Sequence, residues 1–279
     1  MLPGPPRECT PLFRTAGMDY LAKLAGGVIV SHNIHVFGMG ESQMEDRLHG
    51  LMEAGRNPTL APYAKDGECL VRVTAKAETV QKAEQLLTPA VDEVCGILGD
   101  VVYGVDVGSL EQAVAQVLTA RGLTLSVAES CTGGLLSARI TDVPGASLVF
   151  MGGVVSYTNE VKHGVLGVPR ELLDQFGAVS PQVAEAMARG ARRVLGADLA
   201  VSTTGVAGPD PDDRGNPVGL VYVALAGPDF CHVRELHPGG VRESIRIRAA
   251  GSAFDLIRRY LTGLKLNESD GRRFADRLP

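Results

Sequence analysis

The sequence predicts an α/β chain in which a three-layer α/β C-terminal domain follows a small α+β domain. Three observations carry this reading. At 279 residues the chain is long enough for two modest cores. From Gly26 to Gly104 the order is strand–helix–strand–strand–helix, whereas from Val107 onward helices alternate with short apolar strands. In that second part, three loops rich in Ser, Thr and Gly follow apolar runs, the position where open α/β sheets bind ligands.

The elements follow in order. Residues 1–25 open on a Pro-rich loop and are too short for a domain of their own. Val28 to Phe37 is β-rich and predicts a strand. Ser42 and Glu45 form a capping-box pattern ahead of Met44, Leu48, Leu51 and Met52 at helical spacing. Asn57-Pro58 punctuates, a short strand is expected over 59–64, and Lys65-Asp66-Gly67 is a turn. Cys69, Val71, Val73 and Ala75 then alternate with Leu70, Arg72 and Thr74, as a half-buried strand requires. The next helix carries Val80, Ala83, Leu87, Val91, Val94 and Leu98, and Pro89 is expected to bend it. These make a small domain over 26–106.

Over 107–264 Leu110, Val114, Val117 and Leu118 line a helix that leads to a strand at 123–128. A second helix starts after Gly133-Gly134. Strands are expected at 153–157, 199–203, 220–226 and 231–236, with helices at 181–195 and 242–261. Residues 265–279 are a polar tail, and Asn267 to Pro279, without periodicity, reads as frayed.

Composition excludes several classes. No apolar run approaches the roughly 18–20 residues that span a bilayer, so no membrane partner is expected. Met-Leu-Pro-Gly-Pro-Pro is neither a secretion signal nor an Arg-rich transit peptide, which makes the cytoplasm the expected location. Five scattered cysteines without a CxxC pair argue against disulfides and zinc. The six histidines form no HExxH pair, and Asp210, Asp212 and Asp213 read as a solvated loop, so neither metal nor cofactor is expected. Residues 1–106 carry nine Lys+Arg against fourteen Asp+Glu, and the remainder carries eighteen of each. Neither part has the cation excess that a phosphate backbone demands, so nucleic acid is not an expected partner.

The three loops hold the candidate chemistry. Ala128 to Gly134 (AESCTGG) runs from a strand into a helix, where backbone N–H groups can meet an anion; a simple helix cap is the alternative. Cys131 sits in it at a helix N-terminus, which would favour a reactive thiolate. The second region is Pro144-Gly145-Ala146-Ser147 followed by Ser156 to Lys162. A serine needs a proton acceptor to become a nucleophile, and a desolvated lysine can supply one, although most lysines are simply solvated. His163 beside it reads as structural or surface. The third loop, Ser202 to Pro209, suits a polar pocket floor.

AESCTGG (128–134), DVPGAS (142–147), GGVVSYTNEVK (152–162), GAVS (177–180), TGVAGPD (204–210) and NPVGLVYVA (216–224) together resemble the C-terminal domain of the CinA (competence/damage-inducible) family. VFGMGES (36–42) and the stretch 57–77 resemble that family's middle KH-like domain, over 26–106. LPGPPRECTPLF (2–13) resembles the end of its first, molybdopterin-binding-like domain, so that residues 1–25 read as the remnant of a truncated N-terminal domain.

The resemblance implies hydrolysis of nicotinamide mononucleotide to nicotinic acid mononucleotide and ammonia, in a homodimer, without a cofactor. It implies Ser147 as nucleophile and Lys162 as base, with Tyr157, Ser130 and Thr204 as hydroxyl partners. Arg242, Cys131, Thr132, Gly133 and Gly205 are the expected substrate contacts, with Arg246 the alternative arginine. A rival reading is a catalytically degenerate protein that binds nucleic acid or a competence- or damage-related partner. Its clamp would be Gly96-Ile97-Leu98-Gly99, whose apolar middle and flanking Glu93 and Asp100 suit a helix end better.

Overall fold

The computed structural model describes residues 3–24, 26–65 and 67–266. The frayed tail expected over 267–279 lies outside the described residues. Residues 3–5 belong to no helix or strand, in keeping with the Pro-rich opening, and the rest of the first segment, for which the sequence offers no element, forms helices α1 (Pro6–Leu12) and α2 (Met18–Leu24), joined by one π-helical turn. Pro6 stands at the first helical position, where its missing N–H would have had no partner anyway.

Strands β1 (Val28–Phe37), β2 (Thr59–Lys65), β3 (Glu68–Ala77) and β4 (Val102–Val105) form a sheet in the order β2-β3-β1-β4. Between them come α3 (Glu41–Ala54) and α4 (Val80–Leu98). In β3 the residues Cys69, Val71, Val73 and Ala75 are buried while Arg72 is exposed, as the alternation predicts, but Leu70, expected on the outward face, is buried as well. Two expectations need correction. Helix α3 begins at Glu41, so Ser42 lies inside its first turn and does not cap it. β4 is an additional strand that its four-residue, Gly-containing sequence does not announce.

From residue 110 the elements are α5 (Leu110–Arg121), β5 (Leu125–Glu129), α6 (Leu135–Thr141), β6 (Phe150–Val155), α7 (Asn159–Gly164), α8 (Arg170–Phe176), α9 (Pro181–Leu195), β7 (Leu199–Gly205), β8 (Val221–Ala226), β9 (Cys231–Leu236) and α10 (Arg242–Thr262). Caps set the long helices. Ser109 and Ser180 accept from the Gln112 and Val183 amides at the starts of α5 and α9, and left-handed Gly122 and Gly196 close them. The sheet order is β6-β5-β7-β8-β9, with β6, β5 and β7 parallel and β8 and β9 antiparallel additions.

Both faces of this sheet are covered. Leu125, Val127, Val201 and Val223 pack with Leu110 and Val114 of α5 and with Phe254 and Ile257 of α10. Ala128 and Ala200 pack on the other side with Val183, Met187 and Ala191 of α9 and Leu173 of α8. This is the three-layer arrangement expected. The chain divides into two compact units, one of Met1–Ile34, Ser42–Tyr63 and Leu70–Gly99, the other of His35–Glu41, Ala64–Cys69 and Asp100–Pro279. No helix among the described residues is long and apolar enough to cross a membrane.

Candidate active site

The parallel strands bring the loops together. β5 and β7 run side by side, so the loops that follow them meet: the Ser130 amide donates to the Thr203 carbonyl at 2.9 Å, and the Thr132 and Thr203 hydroxyls are 2.7 Å apart. β6 lies on the other side of β5, and the Ser156 amide donates to the Glu129 carbonyl at 2.8 Å. All three strand ends therefore open onto one place.

Lys162 occupies that place. It lies in the short helix α7, which Thr158 caps by accepting from the Val161 amide, and it is only 1% exposed. Its Nζ donates to Ser130 Oγ at 3.0 Å and to the Ser156 carbonyl at 2.7 Å, with the Tyr157 carbonyl at 3.5 Å. No carboxylate pairs with it among the described residues. Burial therefore pulls its pKa down from 10.5 to about 8. The sequence leaves a solvated surface lysine open as the commoner case, and the structure removes it.

Ser147 is not beside Lys162. It sits on an exposed turn ahead of β6, at the opposite end of the sheet from Ser130. The register pairs Leu125 with Phe150 and Glu129 with Val155, which separates the two serines by at least the length of β5, roughly 16 Å at ~3.3 Å per residue. The serine in reach of the lysine is Ser130, and the sequence-based pairing of Ser147 with Lys162 is corrected accordingly. Ser147 is nearer to Lys162 along the chain, but β6 carries the chain away from it before α7 begins.

Other expected residues fall around this pair in different ways. Tyr157 is 60% exposed, and its hydroxyl accepts from Arg242 Nη2 at 3.2 Å. Arg242 also donates to the Gly208 carbonyl at 2.6 Å. Arg246, one turn further along α10, donates instead to the Cys131 carbonyl at 3.1 Å and the Thr132 carbonyl at 2.6 Å. The Thr204 hydroxyl is buried and committed to the Ala178 carbonyl at 2.7 Å, so it is not a free partner for the serine. Gly205 answers to sheet packing, since a Cβ there would meet the Leu220 carbonyl at 2.6 Å. Gly133 is left-handed, with φ +58, and closes the tight turn after Ser130 by donating to its carbonyl at 3.1 Å. Cys131 is buried and its thiol is pushed up to about 11, chiefly by that burial, which opposes the thiolate its position suggests.

The expected anion seat at the start of α6 is already filled. The Glu129 carboxylate accepts from the amides of Gly134, Leu136 and Ser137 and from the Ser137 hydroxyl, all at 2.8–3.0 Å. Amides that remain are those of Cys131 and Thr132, neither of which donates to a backbone carbonyl among the described residues. The candidate loops contain Glu129, Ser156 and Thr203, but sequence reasoning assigns none of the three a role. A carboxylate ending a strand of otherwise uncharged residues, a few positions before a helix-opening Gly-Gly pair, is the signal that could have found the first. Asp212 accepts from the Arg214 and Asn216 amides and from Asn216 Nδ2, which makes its loop a self-bonded turn.

Comparison with known proteins gives a consistent set of likenesses. Residues 107–261 match the model of the CinA C-terminal domain, and residues 31–104 match that of the damage-inducible protein CinA KH domain. A CinA-like protein of Desulfovibrio desulfuricans is 49% identical over 100% of this chain and 65% of its own length. One from Dictyoglomus thermophilum is 45% identical over 95% of this chain and 64% of its own. The chain thus spans just under two thirds of the length of these relatives. Among solved structures, a competence/damage inducible protein of Agrobacterium tumefaciens is 39% identical with a TM-score of 0.53, over 55% of this chain and 93% of that one. A CinA superfamily protein from Klebsiella pneumoniae is 32% identical with a TM-score of 0.54, over 55% and 96%.

Proposed function

The chain belongs to the CinA family, and we propose that it hydrolyses the carboxamide of nicotinamide mononucleotide with Ser130 as nucleophile and Lys162 as general base. The observation that carries this is the 3.0 Å contact between a serine hydroxyl and a buried lysine without a carboxylate partner among the described residues. A lysine kept near neutrality by burial can take a proton that an ordinary ammonium cannot.

In this scheme the neutral Lys162 amine accepts the Ser130 hydroxyl proton as Oγ attacks the amide carbon. The resulting oxyanion is met by the Cys131 and Thr132 amides. Lys162 then passes the proton to the amide nitrogen, the C–N bond breaks and ammonia leaves, with the acyl group esterified on Ser130. Water attacks that ester while Lys162 takes its proton and returns it to Ser130 Oγ, releasing the acid. Arg242, whose partners are a carbonyl and the Tyr157 hydroxyl, is the cation for the 5′-phosphate. A homodimer in the cytoplasm is part of the same reading.

Ammonia release from nicotinamide mononucleotide tests it. Ser130→Ala and Lys162→Ala should each lower kcat by several orders of magnitude, and the double change should be little worse, because groups acting as a unit are not additive. Ser147→Ala and Cys131→Ala should keep most activity. A silent Ser147→Ala beside an active Ser130→Ala would return the nucleophile to the exposed turn.

A further inference from the structure

We infer that Glu129 is a positioning residue for this reaction: its carboxylate, with Arg246 on the other side of the loop, fixes Ser130 and aims the Cys131 and Thr132 amides. The inference rests on the amidase reading above.

Glu129 is completely buried, with no cation within ion-pair distance among the described residues. Burying a lone carboxylate is costly unless its oxygens are fully engaged. Here they are: Oε2 accepts from the Gly134 and Leu136 amides at 2.9 and 3.0 Å, and Oε1 from the Ser137 amide and hydroxyl at 2.9 and 2.8 Å. Four donors converging on one group call for an acceptor-only side chain, which an ionised carboxylate is and an amide is not. The seven residues of α6 are too few to hold a helix by themselves, so this anchor fixes where the helix begins. With β5 fixed at one end and α6 at the other, the Ser130–Gly133 segment has little freedom left.

Arg246 sets the direction of what remains. A peptide unit is planar and trans, so its carbonyl and amide point opposite ways. Arg246 draws the Cys131 carbonyl towards α10, which turns the Thr132 amide away from α10. The Ser130 carbonyl accepts from the Gly133 amide, which turns the Cys131 amide out of the tight turn. Two successive amides next to the proposed nucleophile are thus left without carbonyl partners, as an oxyanion requires. Neither Glu129 nor Arg246 need touch the substrate to produce this.

Steady-state kinetics on nicotinamide mononucleotide and on its dephosphorylated nucleoside test the inference. Glu129→Gln should lower kcat about 100-fold, the order that a misaimed catalytic group costs, with KM within about twofold and the same factor on both substrates. Arg246→Lys should act in the same sense, more weakly. Arg242→Ala should instead raise KM for the mononucleotide alone. If Glu129→Gln does not fold, by its thermal transition, Ser137→Ala removes one of the four donors and should lower kcat several-fold with KM unchanged. A wild-type kcat in whichever of the two folds, a loss confined to KM, or an Arg246→Lys defect selective for the phosphorylated substrate would overturn the inference. Ser130→Ala separates the two levels. If it is dead while Glu129→Gln turns over normally, only the positioning role falls; if it is fully active, the nucleophile assignment falls with it.

Discussion

Lys162 couples activity and stability to the same proton. Its folded pKa of about 8 lies below its ordinary 10.5, so the folded state sheds a proton that the unfolded chain keeps. Holding the amine in this pocket costs about 3 kcal/mol at neutral pH, at ~1.4 kcal/mol per pKa unit. The penalty is complete below pH 8 and disappears as pH rises to 10.5, where both states are deprotonated. Two outcomes follow. The kcat/KM for amide hydrolysis should rise with pH through about 8, because only the neutral amine can act as base. Lys162→Met should raise Tm at pH 7, and that gain should shrink as pH passes from 8 to 10.5 in matched calorimetric scans. A profile flat between pH 6 and 9 would show that another group takes the serine proton. At Cys131, by contrast, a thiol near 11 should resist iodoacetamide at pH 8, with intact-mass spectra reading the extent of labelling.

At the scale of elements, helix α10 has two distinct ends. Its first turns present Arg242 and Arg246 to the site. Its later turns bury Asp255 among Arg234, Arg258 and Arg259, with contacts of 2.7–3.3 Å. Removing the one carboxylate would strand three nearly buried guanidinium groups, so Asp255→Ala should cost roughly 3–5 kcal/mol in urea unfolding. At temperatures where the variant remains folded, KM should be unchanged, since Asp255 is more than two helical turns from Arg246. Much of this architecture was legible in the residues. Helical spacing, and β-rich runs before Ser/Thr/Gly loops, located the long helices, the strands of the large sheet and the site loops, whereas the Ser109 and Ser180 caps emerged only in the structure. What stayed hidden depended on pairing between distant segments. Helices α7 and α8, at six and seven residues, are too short to show a period. The choice between Ser130 and Ser147 depends on the order β6-β5-β7 and on which strand ends point to Lys162, and neither is local information. Thr204 is expected as a hydroxyl partner because nothing local in the sequence signals that the Ala178 carbonyl has taken its hydroxyl.

For the whole molecule, every residue given a role in the proposed reaction lies between Glu129 and Arg246. A fragment of residues 107–264 should therefore keep amidase activity within several-fold of the whole chain. Its stability should not be preserved to the same degree. Phe37 and Tyr103, both outside that fragment, belong to the same buried cluster as Leu110, Phe254 and Ile257. Phe37 lies so close to Gly251 that a Cβ there would meet its ring at 2.6 Å. Arg139 is held by Glu68 at 3.0 Å as well as by Glu111 at 2.8 Å, and Glu68 also accepts from the Tyr103 hydroxyl. Losing one large aromatic from a core typically costs about 3–5 kcal/mol, and here two go together with one carboxylate of a half-buried ion pair. The fragment should thus melt well below the whole chain while turning over at a similar rate below its transition. Calorimetry paired with ammonia release at about 20 °C, on the cool side of any such transition, checks both halves. A fragment as stable as the chain would mean that Phe37 and Tyr103 only cover the core, and a fragment that folds but loses kcat by more than about 100-fold would mean that residues before 107 reach the chemistry.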